Sequence, residues 1–445
     1  MESAGLPVTE KKTLVDTAAK RALESELTAP GDGGGRVYVK TILALAVATR
    51  VGMIVLLLSR KPASWLFSKG IDLGYVAQSL SSGHGLSSPF GGSTGPSAFL
   101  PPGYPALLAF LFRVFGSYSN GAALALMASQ ALFSVLTVAA MLYVARRMFG
   151  AATANVAGAV WAVSLPLLAM VTIPWDTCLS SLLLVGMMAL ALMCVARPRT
   201  SLWAAMGIYC GVAMLVNPSL TLVLFAMVGW AVIRTEAWRG AGPVVWLVVV
   251  LAVFAPWPIR NARVLHAFIP LRSNFGYELW QGNRDGATGV FDVTLYPTGD
   301  REEYAEYAAE GEVAYMRHKS EVAKRFIREH PGEFVKLTAE RIVRFWTGAG
   351  GDMNYPIFVL HSTVTTLLGF CGLAVLVRRR RPVAMLFLPT LLLFPLPYYV
   401  THPDFRFRAL LDPMMTILSA VAVVWMWEYA RRDAAGTSKG YPQNS

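Results

Sequence analysis

VKTILALAVATRVGMIVLLLS, residues 39–59, is an apolar run whose only charges are Lys40 and Arg50. As a helix rising about 1.5 Å per residue, it is long enough to cross a hydrocarbon core of about 30 Å. It does not stand alone. Comparable runs follow at 120–145, 152–171, 177–196, 202–216, 218–233, 243–258, 356–377, 382–398 and 409–429, which gives ten predicted spans. Those at 202–216 and 218–233 are short and share the turn Asn217-Pro218-Ser219, so they also read as one kinked hairpin. The expected fold class is an all-α polytopic membrane protein.

Composition agrees. Of 445 residues, 55% are hydrophobic and 15% charged, against about a quarter charged in ordinary soluble domains. The net charge of +12 would suggest nucleic acid in a soluble chain. Here the arginines gather at the ends of apolar runs, so the expected partner is the lipid bilayer and no nucleic acid. Cys178, Cys194, Cys210 and Cys371 all lie inside apolar segments without metal-ligand spacing, and read as small core residues. Residues 1–37 are polar, end in GDGGGR and read as a flexible tail. They lack the apolar stretch of a cleaved signal, so the first span is expected to stay as an anchor.

Basic residues set the expected orientation. Arg146 and Arg147 follow the second span, Arg197 and Arg199 the fourth, Arg234 and Arg239 the sixth. Arg378 to Arg381 follow the eighth, and Arg431 with Arg432 the tenth. The turns after the third and fifth spans contain neither Lys nor Arg. The positive-inside rule then puts both termini in the cytoplasm. The expected organisation is a tail at 1–37, a membrane module at 38–258 with a long outward loop at 60–119, a small outward helical insert at 259–355, further spans at 356–429 and a tail at 430–445.

The outward face collects the residues with chemical potential. IDLGYVAQSLSSGHG (71–85) carries Asp72, the only acid between Asp32 and Asp176. A short helix over 70–82, ended by Gly83, sets Asp72, Tyr75 and Ser79 on one face. Asp72 reads either as a solvated acid or helix cap, or as a general base beside the bilayer. SSPFGGSTGPSAFLPPGYP (87–105) is too rich in Gly and Pro for helix, and ALLAFLFRVFG (106–116) resumes as a helix too short to span. That helix is expected to lie in the interface with Tyr104 and Phe115 at headgroup depth. Asp176 in TIPWDT (172–177) reads as the first-turn acid of the fourth span, or as a residue of the site. Arg260 and Asn261 leave the seventh span where a lipid phosphate would lie, and an arginine fork suits phosphate. Interfacial anchoring beside Trp257 is the plainer reading. Arg406 and Arg408 in THPDFRFR (401–408) carry the same ambiguity. Arg50, inside the first span, has no assignment. The later part of the insert, 303–346, reads as two or three amphipathic helices broken at HPGE. No Walker loop, zinc signature or nucleophile elbow is present in the sequence.

The order of IDLGYVAQSLSSGHG (71–85), PPGYPALLAFLFRVFG (101–116), PWPIRNARVLHAFIPLRSNFGYELWQGN (256–283), REHPGEFVKL (328–337) with RFW (344–346), and HPDFRFRALLDP (402–413) resembles the bacterial family 39 glycosyltransferases. These are relatives of the protein O-mannosyltransferases and of the aminoarabinose transferases, within the GT-C superfamily. The resemblance implies a GT-C-like fold and a polyprenyl-phosphate sugar donor. It implies a lipid, glycan or protein acceptor and a bacterial inner (plasma) membrane location with the active site outside the cytoplasm. It implies a catalytic acid in the first outward loop, the place of Asp72, acting as base in an inverting displacement. Arg260, Arg406 and Arg408 are the expected donor-phosphate ligands. Tyr75, Tyr104, Asp176, Asn261 and His402 are expected at the substrate. The leaving phosphate needs positive charge from arginine or a divalent cation; no other cofactor is expected. The sequence departs from the protein O-mannosyltransferases in having Ile71, not a second acid, before Asp72, and in lacking their larger soluble domain. Two other readings are a transporter or lipid flippase, and a non-catalytic membrane partner.

Overall fold

Each of the ten apolar runs forms helix in the computed structural model, which describes residues 35–350, 354–379, 381 and 383–437. In chain order, α1 (Val39–Leu58) leads to the short α2 (Ile71–Ser81) and α3 (Gly103–Phe115). Next come α4 (Asn120–Phe149), α5 (Ala151–Val163), α6 (Leu165–Ala169), α7 (Thr177–Ala196), α8 (Thr200–Val216) and α9 (Thr221–Thr235). α10 (Gly242–Phe254) runs on into α11 (Pro256–Val264). The insert holds α12 (Phe275–Gly282), α13 (Arg301–Glu310), α14 (Glu312–Glu329) and α15 (Pro331–Thr347). The chain ends with α16 (Pro356–Arg378), α17 (Ala384–Leu393), α18 (Leu396–Val400), α19 (Phe405–Leu410) and α20 (Asp412–Thr437). Among the described residues there is no named strand, only an isolated bridge between Ser87 and Pro96. Most of the expected tail at 1–37, Arg380, and the end of the tail at 430–445 lie outside the described residues.

The chain is an integral membrane protein. Among the described residues, seven helices are long and apolar enough to cross a bilayer, or eight if the bent pair α5–α6 is one span. The runs at 202–216 and 382–398 are shorter apolar helices, Thr200–Val216 and Ala384–Val400. α16 packs along α20, and α4 along α5 and α7, through buried faces of alanine, methionine and leucine.

The bend between α5 and α6 is 54°, and it accounts for Arg50. Pro166 has no N–H to offer the Ala162 carbonyl one turn back. Thr49 and Arg50 supply the missing donors: Thr49 Oγ1 and Arg50 Nη1 each reach the Ala162 carbonyl at 2.7 Å, and Arg50 Nη2 reaches the Trp161 carbonyl at 3.1 Å. Nε and Nη2 also donate to Ser134 Oγ. The guanidinium is fully buried, so it serves as a helix cap inside the membrane rather than as a snorkelling charge.

At one end of the bundle, the loop after α2 folds as a small hairpin. Ser97 N–H donates to the Leu86 carbonyl and Ser88 N–H to the Gly95 carbonyl. Insert residues seize its outgoing arm: Glu312 Oε1 accepts from Ala98 N–H at 2.7 Å, Ser273 N–H donates to the Ala98 carbonyl, and Arg272 Nε donates to the Phe99 carbonyl. Loop and insert thus form one layer above the helices. The helix break expected at HPGE falls at His330–Pro331, between α14 and α15.

Candidate active site

Two turns meet at the start of α2. Gly70, its N-cap, has φ of +61° and lies so close to Pro174 that a Cβ would stand 3.2 Å from the proline ring. A glycine is needed there both for the left-handed backbone and for the approach. The contact brings Asp72, in the first turn of α2, beside the Trp175–Asp176 turn before α7. A second close approach comes from the insert, where a Cβ on Gly282 would collide with the Thr401 carbonyl. α12 is thereby laid against the segment from Thr401 to Arg406.

Asp72 Oδ2 accepts a hydrogen bond from the Tyr296 hydroxyl at 3.1 Å. Burial, and then the Asp72 carboxylate, hold the Tyr296 phenol protonated well above its ordinary 10.0, so it is a donor here. Tyr75 and Ser79 share the face of Asp72, as their spacing requires. The Tyr75 ring lies against Gly91, and Ser79 Oγ meets Ser87 Oγ at 2.5 Å. Those two hold the loop, while Asp72 faces the insert.

Arg406 stands among the acids. Its guanidinium lies 4.4 Å from the Trp175 ring centre and 4.8 Å from that of Phe407. Its side chain makes no hydrogen bond to any described residue, and its Nε is buried without a partner. Burial works against its charge, but Asp404, Asp72, Glu278 and Asp176, in that order, outweigh it and raise its pKa above the ordinary 12.5. Glu278 Oε2 accepts from His402 Nε2 at 2.7 Å and Oε1 from Asn274 Nδ2 at 2.5 Å. Asp176 Oδ2 accepts from Ser180 Oγ at 2.6 Å and Asn217 Nδ2 at 2.8 Å. It occupies the N-cap position of α7, yet its side chain caps no backbone N–H. Tyr398 closes the floor, stacked on Phe407 with ring centres 4.2 Å apart and bonded to Ser219 Oγ at 3.1 Å.

Several expectations change. Arg260 was expected at a phosphate, but its fork is filled by the Ser97 and Leu86 carbonyls, both at 2.7 Å. It pins the loop hairpin. Asn261 is fully buried and bridges Arg260 to the Ile269 carbonyl, out of reach of a substrate. Arg408, two residues from Arg406, points into the bundle: it is fully buried, pairs with Asp412 at 2.5 Å and donates to Thr365 and Thr366. Tyr104 is not at headgroup depth; it is buried and donates to Gln130, which in turn holds the Val171 and Ile173 carbonyls. It braces the turn before Asp176. His402 is buried too and reaches the site through Glu278.

Sequence reading missed Tyr296, Glu278, Tyr398 and Arg272. Glu278 and Arg272 lie inside the PWPIRN…WQGN stretch, where Arg260 and Asn261 drew the attention. Arg272 uses only Nε internally, so its terminal nitrogens have no hydrogen bond among the described residues. Its charge acts on both Glu278 and Tyr398, as that of Arg406 does.

A divalent cation needs several oxygen donors converging at roughly 2.0–2.6 Å. Among the described residues, the acids and histidines close enough to share an ion are Glu306, Glu310 and His318, on α13 and α14. Asp72, Asp176 and Glu278 do not converge in that way; Arg406 is the cation they face.

Residues 100–259 match the family model described as dolichyl-phosphate-mannose-protein mannosyltransferase, a stretch shorter than half the chain. Among solved structures, the apo oligosaccharyltransferase of Archaeoglobus fulgidus aligns with a TM-score of 0.48 at 13% identity, covering 92% of this chain and 52% of that one. ArnT from Cupriavidus metallidurans bound to undecaprenyl phosphate aligns with a TM-score of 0.34 at 15% identity, covering 84% and 78%. This chain therefore spans about half the length of the archaeal oligosaccharyltransferase. No curated protein matches the sequence.

Proposed function

We propose that this chain transfers a sugar from a polyprenyl-phosphate donor to an acceptor hydroxyl, with Asp72 as general base. The acceptor hydroxyl belongs to a lipid, a glycan or a protein. Its oxygen attacks the anomeric carbon and its proton passes to Asp72. The bond from the anomeric carbon to the phosphate oxygen breaks, and polyprenyl phosphate leaves with the electron pair. One displacement of this kind inverts the anomeric centre. Tyr296, bonded to Asp72 Oδ2, fixes the carboxylate and leaves Oδ1 for the acceptor proton.

The observation that carries this reading is Arg406. A half-buried guanidinium that lies on Trp175 near four carboxylates yet hydrogen-bonds none of them has its fork open to a further anion. A lipid phosphate supplies one, and charge-assisted bonds from an arginine fork stabilise the negative charge that grows on the leaving group. The charge pattern of the loops supports an orientation in a bacterial inner membrane with both termini cytoplasmic and Asp72 outside. Displacement of a fluorescent polyprenyl phosphate from the purified protein tests the role of Arg406. Arg406→Gln is expected to weaken lipid-phosphate binding at least tenfold, in keeping with the loss of a charged hydrogen bond. Unchanged binding would remove Arg406 from the phosphate site.

A further inference from the structure

Glu278 is an acid of the site to which the transfer chemistry gives no task. The four acids around Arg406 differ in what they have left to offer. Asp404 is buried and caps its own helix through Arg406 N–H. Asp176 binds Ser180 and Asn217, and Asp72 faces Tyr296. Glu278 is held on both oxygens by Asn274 and His402, yet 24% of its side chain stays accessible, against 4% for His402. Each carboxylate oxygen has two lone-pair directions, and one on each remains unused.

An anionic phosphate is repelled by this carboxylate and drawn to Arg406 and Arg272. What a carboxylate next to a phosphate site can bind is a neutral donor, and the sugar of the proposed substrate is rich in hydroxyls. We infer that Glu278 holds the donor sugar by accepting hydrogen bonds from its hydroxyls, with Asn274 and His402 fixing the carboxylate. Arg406 and Arg272 mark the phosphate side, so the anomeric carbon lies between them and Glu278, within reach of Asp72. This inference rests on the glycosyltransferase reading above.

The electrostatics fit that division of work. Burial pushes the Glu278 carboxyl up. The His402 bond and the charges of His402, Arg272 and Arg406 outweigh it and hold the carboxyl below the ordinary 4.5. A group that stays ionised at neutral pH is a poor proton shuttle and a good acceptor. Asp72 and Glu278 are then two carboxylates with separate roles, one for the acceptor proton and one for the sugar.

The test compares two ligands by native mass spectrometry: bare polyprenyl phosphate, and the same lipid carrying a hexose, an N-acetylhexosamine or a pentose. All variants carry Asp72→Asn so that bound donor stays intact. The Asp72→Asn protein is expected to bind at least one sugar-bearing lipid more tightly than the bare lipid. Adding Glu278→Ala should lower affinity for that donor about ten- to hundredfold and leave the bare lipid bound as before. Glu278→Gln, which keeps the shape and one acceptor oxygen, should fall between. Bare-lipid binding also reports that each variant is folded. Equal losses on both ligands would make Glu278 a mere counter-ion of the arginines and overturn the inference. So would no loss on either, or equal binding of bare and sugar-bearing lipid before Glu278 is changed. Failure to bind either lipid would instead remove the transferase reading itself.

Discussion

Arg406 and Arg408 stand two residues apart in the run FRFR, and the structure gives them opposite surroundings. Residues at i and i+2 on a helix do not share a face. One guanidinium lies among acids without a hydrogen bond, and the other is locked to Asp412, Thr365 and Thr366 inside the bundle. Substituting them should separate binding from stability. Arg408→Met strips the arginine from Asp412 and leaves it only His361 Nε2 at 3.1 Å, a loss of up to about 3–5 kcal/mol for such pairs. Thermal unfolding in detergent should register it, while lipid-phosphate affinity of the folded fraction stays as it was. Glu278 has a pH signature of its own. Its carboxyl is depressed in the folded protein, so the stabilisation it brings is fully present above its unfolded value near 4.5. It is lost as pH falls through the lower folded value. The stability gap between wild type and Glu278→Gln should therefore be present at about pH 5 and close as pH falls below it. A gap that persists undiminished at low pH would contradict the assigned shift.

Among the elements, the broken pair α5–α6 offers the sharpest physical test. Pro166 removes the donor for the Ala162 carbonyl, and Arg50 replaces it from α1. Arg50→Met should destabilise the protein by about 1–3 kcal/mol, since it unpairs the Trp161 carbonyl and leaves the Ala162 carbonyl only the Thr49 hydroxyl. Adding Pro166→Ala restores an N–H to α5–α6 and should recover part of the loss. A double variant no more stable than Arg50→Met alone would sever the link between the proline and the arginine. The elements themselves were readable from sequence because apolar length and Gly or Pro punctuation are local. The ten runs, the helix ended by Gly83 and the break at His330–Pro331 all follow from such signals. The fate of each arginine was not readable. Arg260, Arg406 and Arg408 all sit beside aromatic residues at the end of an apolar run. Whether a fork meets the Leu86 and Ser97 carbonyls, the Thr365 and Thr366 hydroxyls or an open site depends on segments more than forty residues away in the chain. Tyr296 was unreadable for the same reason, since only the folded insert brings it to Asp72.

At the scale of the molecule, the account requires that the layer of loop and insert and the arginine-rich turns occupy opposite faces of the membrane. Thr294 in the insert and Arg199 in the turn between α7 and α8 are both exposed. In intact cells, Thr294→Cys should react with a membrane-impermeant maleimide, and Arg199→Cys only after the membrane is opened. The reverse pattern would place Asp72 in the cytoplasm and overturn the proposed orientation. The most direct test of the central claim is a single-turnover experiment on the purified protein with polyprenyl-phosphate sugars and a membrane extract as acceptor source. Native mass spectrometry would follow the lipid, with wild type beside Asp72→Asn. The account predicts that wild type converts bound donor to bare polyprenyl phosphate. The variant should bind the same donor and release it at least a hundredfold more slowly, the lower end of what a general base contributes. Donor that stays intact on both proteins, or turnover that is equal in both, would contradict it.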